Sequence, residues 1–264
     1  MLTDTLRGAG DGSTAVVIGA GGALGAASAV ALAARGFRCV LAGPTEASLE
    51  RTAELLRSAG GEAEVVCADA SDEADVRRIF AETTRVFSPC RALVHAAAIQ
   101  GPTAPLTEIS LEQWQEVMRV NLASVFLTCR EALPQMVARR RGSIVLISSA
   151  DALRGFPMTG PYAASKSALL GFARALSAEV SAEGVRVNVL SPGPIPEAAI
   201  YQEAVNGIAA RLGVEAGDLV AEISGARRGY SAEEVARGTV FLATSDSGPM
   251  TGQSLVMDSI MTQG

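Results

Sequence analysis

Hydrophobic and polar positions follow two rhythms along this chain. Short apolar runs rich in β-branched residues recur at 15–18, 39–41, 65–67, 92–94, 144–147, 185–189 and 254–257. Between most of them lie amphipathic stretches of helical length, at 46–59, 73–86, 111–139 and 162–183. A strand that is apolar at nearly every position is covered on both faces, and strands of that kind alternating with helices predict a parallel sheet between two helical layers. Right-handed crossovers then make the chain an α/β, doubly wound, Rossmann-type domain of seven parallel strands. Residues 1–13, with Gly8, Gly10 and Gly12, read as a flexible tail. The single domain spans 14–264, with no repeat, low-complexity tract or linker to divide it.

The alternation breaks once. After the sixth strand come Pro192, Pro194 and Pro196, then two short helical patterns carrying Ile200, Tyr201, Val205, Ile208, Leu212, Leu219, Val220 and Ile223. An insertion at a strand's carboxyl end lies where ligands bind in such sheets, so 193–230 is expected to form a small helical lid.

Composition narrows the function classes. Lys plus Arg is 22 against 28 for Asp plus Glu, a net charge of −6, which argues against a nucleic-acid surface. Charged residues are 19% and hydrophobic residues 48%, so the chain can bury a large core. Cys39, Cys67, Cys90 and Cys129 form neither a disulfide framework nor a C-x-x-C pair, and His95 is the one histidine, so no metal site is expected. No charge lies between Asp11 and Arg35, a bilayer-length span. Its glycines and its acidic flank argue for strand, turn and helix instead of a membrane segment or signal peptide, and for a cytoplasmic protein.

Two motifs carry chemistry. Gly19-Ala20-Gly21-Gly22-Ala23-Leu24-Gly25 follows the first strand and opens a helix. Glycines there allow a tight turn and close backbone approach to a pyrophosphate, and the helix amino end offers unpaired N–H groups. Second, Tyr162 and Lys166 stand four apart, on one helix face. An ammonium one turn away favours the phenolate; bringing a tyrosine to neutral pH needs about 3 pKa units, or about 4 kcal/mol. Ser149 ends the fifth apolar run thirteen residues earlier, and Asn121 sits in the long helix after Trp114.

In this order, from about Val16 to Asp258, these residues resemble the short-chain dehydrogenase/reductase family in its short-subunit branch. Asp69 after the third strand, His95-Ala96-Ala97-Ala98 after the fourth, Asn188 to Gly193, and Thr251-Gly252-Gln253 extend the likeness. The resemblance implies NAD(P)-dependent hydride transfer on a medium-sized, largely apolar secondary alcohol or ketone, cyclic or 3-oxoacyl. Tyr162 would be the general acid/base, Lys166 would lower its pKa and bind the nicotinamide ribose, Ser149 would bind the substrate oxygen, and Asn121 would hold a relay water. Gly19, Gly21, Gly22, Ala23, Leu24 and Gly25 would hold the pyrophosphate. Gly43, Pro44, Asp69, Ala70, Ala96 and Ala97 would follow the dinucleotide, and Pro192, Gly193 and Ile195 would border the nicotinamide. Phe156, Met158 and Ile200 join Ser149 as expected substrate contacts. Arg154, Arg227 and Arg228 are candidates for an anionic tail. Helices 111–139 and 162–183 would form the interfaces of a homotetramer, or a dimer.

The chain departs from the family pattern at Ile18 and Ala23 in the glycine turn, at His95 to Ala98, at Glu197, and at Ser259 and Ile260. No acid follows the second strand at Gly43-Pro44, which leans cofactor choice towards NADP(H). His95 reads as a hydrogen-bonded structural residue. Ala23, Ala98 and Glu197 motivate the alternative of a dinucleotide-binding sensor that has lost turnover.

Overall fold

In the computed structural model, residues 11–224 and 229–258 are described. Gly8, Gly10, Arg227, Arg228, Ser259 and Ile260 lie outside them. The seven apolar runs are the strands β1 (Thr14–Ile18), β2 (Arg38–Gly43), β3 (Ala63–Cys67), β4 (Cys90–His95), β5 (Gly142–Ile147), β6 (Val185–Pro192) and β7 (Ser254–Met257). They form one parallel sheet in the order β3-β2-β1-β4-β5-β6-β7. The order reverses between β1 and β4, which opens a crevice beyond their carboxyl ends.

Alternate residues of each strand feed two cores. Val16 and Ile18 of β1 pack with one set of helices: α3 (Glu73–Val86), α5 (Ser124–Ala138) and α7 (Gly160–Val180). Ala15 and Val17 pack with the other: α1 (Ala23–Ala33), α2 (Glu46–Ser58) and α10 (Ala232–Ala243). The central strands are buried on both faces, which is why they read as continuous apolar runs. The uncharged 12–34 span resolves into β1, the glycine turn and the eleven residues of α1. Among the described residues, no helix is long and apolar enough to cross a membrane.

Two details differ from the sequence reading, and a third element follows it. The long helix expected over 111–139 is α4 (Leu111–Met118), a π-helical turn (Arg119–Ala123) and α5. The interruption lies where the Asn121 side chain is pinned to the neighbouring loop. The end of the expected tail is tied down: Asp11 pairs with Arg91 and Arg141, and Gly12 N–H donates to the Gly36 carbonyl. The excursion after β6 is two helices, α8 (Ala199–Leu212) and α9 (Ala216–Ser224), with a small core of their own at Val205, Ile208, Ala209 and Leu219. The remaining helix, α6 (Asp151–Arg154), is a single turn after β5.

Candidate active site

The chain turns sharply at the end of β1. Gly19 has φ +81°, and a Cβ there would lie 2.5 Å from the Ala97 nitrogen. A Cβ on Gly25 would overlap the Gly19 carbonyl oxygen. Neither position has room for a side chain, so the turn and the loop after β4 close up backbone to backbone. Gly22 is the N-cap of α1 and offers no side-chain acceptor, and its own Cβ position is open, with only the Gly19 oxygen at 3.6 Å. The uncapped first turn of α1 therefore lines the crevice as bare backbone. This is the arrangement a pyrophosphate requires, and the residues fit a dinucleotide.

The opposite wall is made of side chains. β5 runs into Ser148 and Ser149, and α7 presents Tyr162 and Lys166 one turn apart. Lys166 is the only lysine in the chain, all 21 other cations being arginine, and it is 2% exposed. Its Nζ donates to the Ile147 carbonyl at 2.8 Å and lies 5.7 Å from the Tyr162 ring centroid. The Ser148 hydroxyl fixes the same helix by donating to the Lys166 carbonyl at 2.8 Å. Burial pulls Lys166 down to about 7, a shift open to an amine but not to a guanidinium. Burial pushes the Tyr162 phenol above its ordinary value; the Ser149 hydroxyl partly offsets this, and the Asp151 carboxylate adds to it. Here, then, desolvation outweighs the help that the spacing alone promises from Lys166.

Asn121 and His95 brace this wall. The Asn121 Oδ1 accepts from Ile99 N–H at 2.8 Å, and its Nδ2 donates to the Ile99 carbonyl at 2.9 Å and to the Ser165 hydroxyl at 3.0 Å. Both amide hydrogens are used, and the side chain joins the loop after β4 to α7. His95 is buried with Nε2 3.1 Å from the Ser124 hydroxyl, and burial, assisted by the Lys166 charge, drives its pKa down to about 3.

One cavity of about 350 Å³ joins the two walls. Gly19, Gly22, Ala23, Leu24, Gly25, Ala96, Ser149, Tyr162, Lys166, Pro192, Gly193 and Ile195 line it, with Phe156 and Ile200. Eight expected positions lie off it. Gly21 sits under the Ser48 hydroxyl. Ala97, in the loop after β4, packs against Gly19, while Gly43, Pro44, Asp69 and Ala70 lie beyond the turn at the β1–β3 side, where Asp69 accepts from Ser71 at 2.6 Å and pairs with Arg119 at 3.3 Å. Asn121 stands behind the wall. Met158, expected against substrate, takes the left-handed conformation (φ +65°) and packs on the small core of α8 and α9.

Glu197 reaches the amino end of α10, where its Oε1 accepts from Ala232 N–H at 2.5 Å. There it meets the helix's positive end and is spent as a cap. Sequence reasoning missed Gln100, Asp151 and Thr159 as wall residues. Asp151 follows Ser149 by two positions, but an acid opening a short helix reads as an ordinary cap. Among the described residues no group of three or more His, Cys, Asp or Glu gathers to hold a metal.

Comparison with known proteins adds the following. A family model described as enoyl-(acyl carrier protein) reductase matches residues 19–262. A 2-(R)-hydroxypropyl-CoM dehydrogenase of Xanthobacter autotrophicus is 34% identical over 251 residues, covering 94% of this chain and 98% of the relative. Among solved structures, an actinorhodin polyketide ketoreductase with NADPH superposes with a TM-score of 0.88 at 27% identity, covering 93% of this chain and 95% of the other. A 3-oxoacyl-(acyl carrier protein) reductase with bound NAD from Brucella melitensis superposes with a TM-score of 0.81 at 29% identity, covering 96% and 92%.

Proposed function

The chain belongs to the short-chain dehydrogenase/reductase family, and from that premise we propose that it carries a hydride between a nicotinamide dinucleotide and a secondary alcohol or ketone, with Tyr162 as the general acid/base. One observation carries this reading: Ser149, Tyr162 and the chain's only lysine converge on a single cavity whose other wall is the glycine turn.

When bound, the dinucleotide supplies the two-electron redox chemistry. The chain's own groups do the rest. The backbone from Gly19 to Gly25 holds the pyrophosphate, while Gly43, Pro44, Asp69, Ala70 and Ala97 serve the adenosine end outside the cavity. Lys166 bonds the nicotinamide ribose, and Pro192, Gly193 and Ile195 border the ring. The Ser149 hydroxyl donates to the substrate oxygen. Tyr162 gives that oxygen its proton in reduction and takes it in oxidation. Burial raises the phenol above its ordinary value, so it holds its proton more firmly than a free tyrosine does. Asn121 positions the wall through Ile99 and Ser165. Assembly as a homotetramer or dimer through 111–139 and α7 belongs to the same reading.

The relatives solved with NADPH and with NAD leave both dinucleotides in play. The missing acid after β2 favours NADP(H), because nothing there repels a 2′-phosphate. Fluorescence titration with NADH and NADPH tests this, followed by a screen of ketones and alcohols with the tighter binder. Tighter NADPH binding with turnover is the expected result. A folded protein that binds neither overturns the proposal, and tight dinucleotide binding without turnover of any alcohol or ketone overturns it in favour of the sensor.

A further inference from the structure

Two buried polar atoms on the cavity wall have no hydrogen-bond partner: Asp151 Oδ1 and Gln100 Nε2. Asp151 is 7% exposed and Gln100 4%. An unpartnered buried donor or acceptor is costly, so two in one pocket call for an explanation. They stand on neighbouring loops. Gln100 follows β4 and Asp151 follows β5, adjacent strands paired through His95 and Leu146. The first loop is tied to the segment before α7 by Ala104 N–H donating to the Met158 carbonyl at 3.1 Å. Asp151 is also locked to the proposed reaction centre, because its N–H donates to the Ser149 hydroxyl oxygen at 3.1 Å.

The two orphans are of opposite kind: Asp151 offers an acceptor and Gln100 a donor. An ammonium would satisfy the carboxylate and leave the amide N–H unpaired. A bare ketone or hydrocarbon would bury both orphans without a partner. A hydroxyl both donates and accepts. We propose that Asp151 and Gln100 form a subsite for a hydroxyl group on the substrate, next to the carbon that reacts at Ser149 and Tyr162. The substrate class is then a vicinal diol or hydroxy ketone, not a simple alcohol or ketone. This inference rests on the oxidoreductase reading and deepens it, and it changes the sequence expectation of a largely apolar pocket at one specific place.

The test uses matched pairs differing by one hydroxyl: cyclohexane-1,2-diol against cyclohexanol, and butane-2,3-diol against butan-2-ol. The readout is the ratio of kcat/KM within each pair, with calorimetric binding of the diols to the cofactor-saturated protein measured alongside. In the wild type the diol is expected to win by about tenfold or more, the size of one satisfied buried hydrogen bond. Asp151→Ala brings the ratio towards one, and Asp151→Asn, which keeps an accepting oxygen, recovers part of it. A structural defect would lower both members of a pair and leave the ratio alone. Turnover with a wild-type ratio near one overturns the subsite while leaving the oxidoreductase reading intact. Diol binding that Asp151→Ala abolishes, with no turnover of any alcohol, supports the subsite and sinks the oxidoreductase reading. Neither binding nor turnover of the diols overturns the subsite.

Discussion

The turn after β1 and the wall formed by β5 and α7 face each other across one cavity, yet they are built from opposite materials. The turn is bare backbone. Gly19 and Gly25 exclude any side chain by contact with Ala97 and with each other, and α1 begins without a side-chain cap. The facing wall is all side chain, with Lys166, Asp151 and Tyr162 held at shifted protonation equilibria by burial. The turn is therefore vulnerable to added volume. The wall is vulnerable to changes in charge and proton inventory. Substitutions on the two sides should fail in different ways, and that difference can be measured.

Tyr162→Phe makes the sharpest case. It keeps the ring and removes the proton, so turnover should fall by about 10³-fold, within the range general acid/base groups supply. Dinucleotide affinity should hold, because the turn is untouched. Turnover near the wild-type rate in this variant would remove Tyr162 from the mechanism.

Gly25→Ala is the converse. Its Cβ meets backbone that cannot swing away, so stability should drop by about 3 kcal/mol or more, together with dinucleotide affinity. Denaturant melts and cofactor titration read both losses. A stability unchanged within error would mean that the turn is looser than its contacts indicate.

Asp151→Asn probes the electrical side. Burial pushes the Asp151 carboxyl up to about 6, with Thr159 opposing, against an ordinary value near 3.8. The folded state thus holds a proton that the unfolded chain has released. Its contribution to stability is complete below 3.8 and lost as the pH rises through 6. Asp151→Asn should accordingly stabilise the protein at pH 8, by at most about 3 kcal/mol, with the gain shrinking as the pH falls towards 5. Urea melts at several pH values decide it, and a pH-independent difference would contradict the buried-carboxylate account.

Gly22→Ala should do least. The site is open and its backbone is extended, so a change within about 1 kcal/mol is expected. Set beside Gly25→Ala, it separates the glycine that space requires from the one it does not.

Much of this molecule was legible in order along the chain. Strands buried on both faces leave unbroken apolar runs, and Tyr162 with Lys166 declares a shared helix face through simple spacing. Met158 was expected against substrate from its place between Ser149 and Tyr162, but it packs on the small core of α8 and α9, and Glu197, read as a departure from the family pattern, caps α10. The engagement of Asn121 with Ile99 and Ser165 was not legible in the sequence, since those partners lie 22 and 44 positions away.

By itself, then, the sequence determined the seven-stranded parallel sheet, the glycine turn and the Ser149, Tyr162 and Lys166 set, because periodicity and local spacing are properties of neighbours along the chain. Only the tertiary structure decided which polar groups went unsatisfied. Asp151 and Gln100 are ordinary residues in the sequence. They became a candidate subsite when adjacent loops buried both in the same cavity without giving Asp151 Oδ1 or Gln100 Nε2 a partner, and burial is settled by packing between segments far apart in the chain.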